Sequence, residues 1–225
     1  MSRRPRGIRE DAAFHMAEPL TRGPVQGLSG TELVSPGTGM IGDPWHAARS
    51  GGHNRPVTWI SPEPPDDPPS PDTGDIRPIL QGYLDNQRLT LLRICAGLTA
   101  EQLALRPTPP STLSLLGLVR HMTKVERIWL RIRAAGEDVP PLFPTVDEDF
   151  NDLDPASAEQ SIAGLPAEWA ACDEAVAQLP LEHCFAAHGQ QVSLGSIYIH
   201  LVEEWARHNG HADLIREVID GTTGR

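Results

Sequence analysis

A chain of 225 residues holds one ordinary domain, or one domain plus a tail. Its formal charge of −11 is unevenly spread: residues 1–57 carry seven arginines against five acids, and the remainder twelve Lys+Arg against twenty-five Asp+Glu. So acidic a body, with Lys124 as its one lysine and no basic stripe, argues against binding nucleic acid or an anionic membrane surface.

Cys95, Cys172 and Cys184 are odd in number and contain no CxxC pair, which argues against a disulfide framework and suits a reducing compartment. No apolar run approaches the roughly 20 residues of a membrane span, and the arginine-rich start lacks the apolar stretch of a secretory signal. The expectation is a soluble, cytoplasmic protein.

Residues 1–57 are rich in Gly, Pro, Ser and Arg and lack a sustained apolar period, so they are expected to form a disordered or loosely wrapped N-terminal extension. An upstream start codon is an alternative origin for them, with Met16 or Met40 as other starts. Residues 58–74 include the proline-dense "SPEPPDDPPSPDTG", read as extended linker or wrapping strap.

A helical body is expected over 75–221. "IRPILQGYLDNQRLTLLRICAGL" places Pro78 in a first turn and Gly97 at the stop. "TAEQL" follows as a short turn, with Thr99 and Gln102 spaced as a capping box. The next helix is expected to start at an N-cap Ser111 and end at Gly136. A loop through "DVPPLFPTVDEDFNDLD" leads to a third helix capped by Asp154, interrupted at 164–166 by Gly164 and Pro166, and resuming through Trp169 to Leu179. "PLEHCFAAHGQQ" is read as a connector, and a last helix runs from about Ser193 to just before Gly221. Four main helices without convincing strand alternation predict an all-α bundle.

The chemistry concentrates in "HLVEEWARHNGH", residues 200–211. Stepped at about 100° per residue from Glu204, His208 falls near +40°, His200 near −40° and His211 near −20°. Ile197, Leu201 and Ile215 share the stripe, and Asn209 falls on the opposite side. The cluster is therefore expected to point into the core. A buried ionised Glu204 needs compensation, through a raised pKa, an arginine or a metal ion. Arg207, near −60°, can reach along its own helix but not under it.

A metal also accounts for His208, one turn from Glu204 on the same face. His121 is the single titratable group on a second apolar stripe made by Leu118, Val125, Ile128 and Ile132. His121, Glu204 and His208 are thus the candidate metal ligands, a count that leaves coordination positions open. Neither HExxH nor HxxEH occurs, and no Glu-x-x-His pair supports a di-iron bundle. Cys184 with His183 or His188 lacks further ligands.

"STLSLLGLVRHMTKVERIWLR" and "VSLGSIYIHLVEEWARHNGHADLIREVIDG" together resemble the DinB superfamily, in particular a subgroup sharing the ARHNGHAD signature, over about residues 75–221. The resemblance implies a four-helix bundle of up-down-down-up topology holding a divalent metal: zinc first, with nickel or iron as alternatives. One ligand comes from a histidine on the second helix and two from a pair spaced by four on the last. His121 matches the first position. Glu204 and His208 are similar to the Glu/His variant of mycothiol-dependent maleylpyruvate isomerases, where many relatives have two histidines. His200, His211 and Arg207 lie beside these positions as candidates to support them.

By the same resemblance the partners are a low-molecular-weight thiol such as mycothiol and a small electrophile, in a transferase or isomerase reaction, with a homodimer as the candidate assembly. The other reading is a non-catalytic metal-binding bundle acting in stress response or partner binding. The residues identify neither catalytic groups nor the thiol-binding surface.

Overall fold

The computed structural model describes residues 58–69 and 71–224. The chain divides into two units, Met1–Arg55 and Pro56–Arg225, and everything described belongs to the second. The expectation for residues 1–57 lies outside the described residues.

Helix α1 spans Ile76–Cys95 and ends where Gly97 takes φ +77°, a conformation open to a residue without Cβ. Helix α2, Ala100–Ala104, begins with the expected box: the Thr99 hydroxyl accepts from Gln102 N, and the Gln102 side chain accepts from Thr99 N. The extended segment before α1 is fastened to this turn by Ser61 N→Leu98 O and Gly97 N→Ser61 O, both 2.9 Å.

Helix α3 covers Leu115–Glu126 and starts later than expected. Ser111 uses its hydroxyl to accept from Leu113 N in a local turn, whereas the Ser114 hydroxyl accepts from Gly117 N at 3.0 Å and caps the helix. The helix continues as a π-helical segment, Arg127–Ala134. Its wider turn changes the phase of the buried face. Trp129 and Leu130 become buried, while Ile128 and Ile132, expected on the core stripe, are only partly covered.

Helix α4, Glu148–Asn151, is a single turn inside the expected loop. Asp154 then caps as expected, accepting from Ala156 N at 2.9 Å, and a 3-10 turn at Pro155–Ser157 leads into α5, Ala158–Val176. The interruption expected at 164–166 is absent: α5 passes through Pro166. Ile162, Leu165 and Trp169 are buried on either side of it, and their packing holds the helix where one backbone hydrogen bond is missing.

The expected connector is a β-hairpin, β1 Cys184–Ala187 paired antiparallel with β2 Gln190–Ser193. His188 and Gly189 make its two-residue turn with φ of 50° and 72°, the pair of positive values that matches strand twist. Ser193 caps α6, Leu194–Asp220, which ends at Gly221 with φ 78°.

Cross-helix contacts give the bundle topology. Tyr198–Gln81, Asn209–Gln87 and Arg216–Ile94 run in the same direction along α1 and α6, so these helices are parallel. His121–His208 and Trp129–His200 run in opposite directions, so α3 is antiparallel to α6. Arg77–Val176 and Arg88–Asp173 make α5 antiparallel to α1. The order α1, α3, α5, α6 is therefore up, down, down, up, and the fold is an all-α bundle with one small hairpin. Among the described residues no helix is long and apolar enough to cross a membrane.

Candidate metal centre

The last helix buries Ile197, Leu201 and Ile215 of the expected stripe, but its buried face is turned away from the polar members of that stripe. Tyr198, Leu201, Trp205, Ala212 and Ile215 form the buried seam, joined by Asn209, while Val218 is exposed. Trp205 is completely buried, and its indole N–H donates to Glu126 at 2.8 Å; Asn209 donates to the Gln87 carbonyl at 2.9 Å. These two residues turn the helix so that Glu204 and His208 lie at the edge of the core. The expected deep burial of Glu204 is therefore corrected: its side chain keeps 26 % of its surface, and that of His208 13 %.

His121 faces this edge from α3, with 17 % of its side chain exposed. One donor atom each from His121, Glu204 and His208 lie within 4.8 Å of one another. Glu204 Oε2 is 3.4 Å from His208 Nε2, and the rings of His121 and His208 meet edge-on with centroids 4.8 Å apart. The hydrogen bond from His208 holds the Glu204 carboxyl below the usual carboxylate range, against the opposing effect of partial burial. Burial pushes His121 down, which favours a neutral imidazole with a lone pair available.

Which nitrogen of His121 carries that lone pair is decided from α4. His121 Nδ1 lies 2.7 Å from Asp149 Oδ2, and Lys124 Nζ donates to Asp149 Oδ1 at 3.0 Å. Burial raises the Asp149 carboxyl, but the hydrogen bonds from His121 and Lys124 outweigh it and leave it below the usual value. An ionised carboxylate only accepts, so Nδ1 donates and Nε2 keeps its lone pair. Arg120 holds α4 in place by donating to the carbonyls of Asp152 and Glu148. Phe150 stacks on the His121 ring with centroids 4.7 Å apart. Sequence reasoning missed Asp149; the one available signal was an acid-rich loop, "TVDEDFNDLD", between two helices.

The flanking candidates separate. His211 lies with its ring 5.5 Å from that of His208, and its Nδ1 is buried with no hydrogen-bond partner among the described residues; the same holds for His208 Nδ1. His200 packs edge-on against Trp129 at 5.1 Å, outside the three-donor cluster. Arg207 is exposed, so it does not lie under the cluster. His183 contacts the Ala134 carbonyl and His188 contacts Arg133, and among the described residues no group of three donors forms around Cys184.

The donor chemistry fits a divalent ion. Metal–ligand bonds of about 2.1 Å in a tetrahedron imply donor separations of about 3.4 Å, the distance between Glu204 and His208. The chain's own thiols are poorly suited to react here. Cys95 and Cys172 are buried; burial pushes Cys95 up to about 12 and raises Cys172 as well. Cys184 is exposed on β1, where its sulfur meets the Glu182 carbonyl.

No curated protein and no solved structure matches this chain. A family model described as mycothiol S-transferase does match, over residues 79–221. That span runs from the first turn of α1 to Gly221 and contains all three donors, so the chain belongs to the mycothiol S-transferase family, in agreement with its DinB-like resemblance.

Proposed function

We propose that this protein is a metal-dependent S-transferase that delivers a low-molecular-weight thiol, mycothiol by family membership, to a small electrophile. The convergence of His121, Glu204 and His208 from two helices carries the reading. Two imidazoles and one carboxylate are donors that zinc favours, and nickel and iron accept the same set. Three protein ligands leave a position open, as a reactive site requires and a closed structural site does not. A divalent ion bound there supplies a Lewis acid that takes a thiol, of free pKa about 8.5, as its thiolate.

The chain's residues define the rest of the site. Glu204 would place one negative charge against the ion and temper its acidity, which would keep a bound thiolate nucleophilic toward the electrophile. Phe150 covers one face of His121 and excludes water from that side. The partial exposure of all three donors leaves an approach for a thiol and an electrophile.

The experiment is metal analysis of the purified protein followed by thiol conjugation assays with mycothiol and a chromogenic electrophile. Stoichiometric metal is expected, lost in His121→Ala and His208→Ala, with conjugation abolished by chelator and restored by zinc or nickel. Bound metal without turnover on any thiol would favour the non-catalytic metal-binding bundle. Absence of bound metal under metal-replete conditions would reduce the cluster to a polar network and end the proposal.

A further inference from the structure

We infer that Asp149 is a positioning residue that makes the site competent for metal by fixing the tautomer of His121, and that Lys124 is what makes an ionised carboxylate, rather than an amide, necessary for this. The functional consequence rests on the proposed metal reading; the tautomer itself does not.

The geometry is a linear chain of three side chains. Lys124 Nζ meets one Asp149 oxygen at 3.0 Å, and the other oxygen meets His121 Nδ1 at 2.7 Å. Asp149 is 1 % exposed and Lys124 8 %, so water does not substitute freely for either contact. Two acceptor oxygens serve two donors, and the imidazole proton resides on Nδ1. Nε2 is then left with the lone pair, and with Nδ1 engaged by Asp149 it is the nitrogen that His121 has to offer the cluster. Metal-ligating histidines depend on such an outer partner for ring orientation and tautomer.

Lys124 occupies the second oxygen, so in Asp149→Asn the single amide oxygen cannot serve both neighbours. An ammonium can only donate, so Lys124 claims that oxygen. The amide NH2 is then turned toward His121 Nδ1 and donates to it. The imidazole proton moves to Nε2, and the lone pair offered to the cluster is lost. A charge-neutralising change of one atom type thus inverts the tautomer, as replacement of the orienting aspartate does in serine-protease triads.

Removing the lysine should undo this. In the double variant Asp149→Asn with Lys124→Met, the amide is free to rotate, present its oxygen to His121 Nδ1 and restore the original tautomer. A residue that merely stabilised the loop would behave oppositely, because the double variant loses one more contact than the single one.

The test uses the full chain in three forms: wild type, Asp149→Asn, and the double variant. The first readout is long-range proton–nitrogen NMR of the histidine side chains in metal-free protein, with His121 assigned by difference against His121→Ala. Nδ1–H is expected in wild type and double variant, and Nε2–H in Asp149→Asn. The second readout is zinc affinity by competition with a chromophoric chelator. Asp149→Asn should weaken binding by about 10–100-fold, and the double variant should recover most of that loss. Nε2–H in the wild type overturns the proposal even if Asp149→Asn proves unfolded. Unchanged affinity in Asp149→Asn, or a double variant no better than the single, also overturns it. If His121→Ala binds zinc as tightly as wild type, the metal reading fails instead, while the NMR result still decides the role of Asp149.

Discussion

Replacing Glu126 by alanine should be among the most destabilising changes in the bundle. Glu126 is fully buried and is the acceptor for two N–H groups, Arg88 Nε and the Trp205 indole, that make no other hydrogen bond among the described residues. Its Oε1 accepts from Arg88 Nε at 2.9 Å and from Trp205 Nε1 at 2.8 Å, and its Oε2 accepts from Arg88 Nη2. Arg88, only 1 % exposed, retains Asp173 at 2.9 Å and Asp85 at 2.8 Å, so its charge stays compensated after the substitution. Two buried donors lose their acceptor, each at about 1–3 kcal/mol. Breaking a buried pair from one side costs about 3–5 kcal/mol, and the surviving aspartates place this case at the low end, about 3 kcal/mol. For a domain of this size that is a drop of roughly 6–12 °C in melting temperature.

Thermal and urea melts of Glu126→Ala should be compared with Arg88→Met and with the double variant Arg88→Met/Glu126→Ala. With both charges gone, Asp173 and Asp85 can turn to solvent, since their side chains are 36 % and 28 % exposed. Only the Trp205 donor is then stranded, and the double variant should lose less than the sum of the singles by about 2 kcal/mol. A loss below about 1 kcal/mol in Glu126→Ala, or strict additivity in the cycle, would refute the reasoning.

Zinc or nickel at a hundredfold excess over Kd should stabilise the wild type by about 2.7 kcal/mol; melts with metal and with chelator should show this shift abolished in His208→Ala and reduced in Glu204→Gln. Because Glu204 is only partly buried and its ionised form is favoured, Glu204→Gln in chelator should alter stability by less than about 1 kcal/mol and should not stabilise the metal-free protein. Burial raises Glu168, but hydrogen bonds from Arg127 and Arg131 leave it below the usual carboxylate value. Its contribution is therefore complete above the unfolded Glu value of about 4.3 and is lost as pH falls through the lower folded value. Acid titration of stability should show a shallower decline in Glu168→Gln, together with lower stability at neutral pH. Pro166→Ala restores a backbone donor inside α5 and should raise stability by about 1–2 kcal/mol, read as a higher melting temperature; a lower one would mean that the ring packs against something the helix needs.

The sequence by itself determined what depends on neighbours along the chain. The Thr99–Gln102 box, the caps at Asp154 and Ser193, and the stops at Gly97 and Gly221 each follow from residues within a turn of one another. The same locality makes Glu204 and His208 a pair, since four residues in any helix bring two side chains together. His121 could be singled out as the polar member of an apolar stripe, although the π-helical turn beyond it changed which neighbours that stripe buries.

What the tertiary structure alone decided is rotation and distance. Helix α6 carries apolar residues on most of its circumference, so hydropathy leaves its buried face ambiguous by about one residue step. Fitting Trp205 beneath Glu126 and Asn209 against Gln87 resolves it and moves the metal-capable pair from the core to its edge. Asp149 lies 28 positions from His121 and Glu126 lies 38 from Arg88, separations over which no periodicity carries information. Arg120 brings α4 to α3 by gripping backbone carbonyls, which every residue possesses, so that contact leaves almost no trace in residue identity. The Glu204–His208 pair was legible because its relation is local; the carboxylate that meets His121 was not, because only packing brings it there.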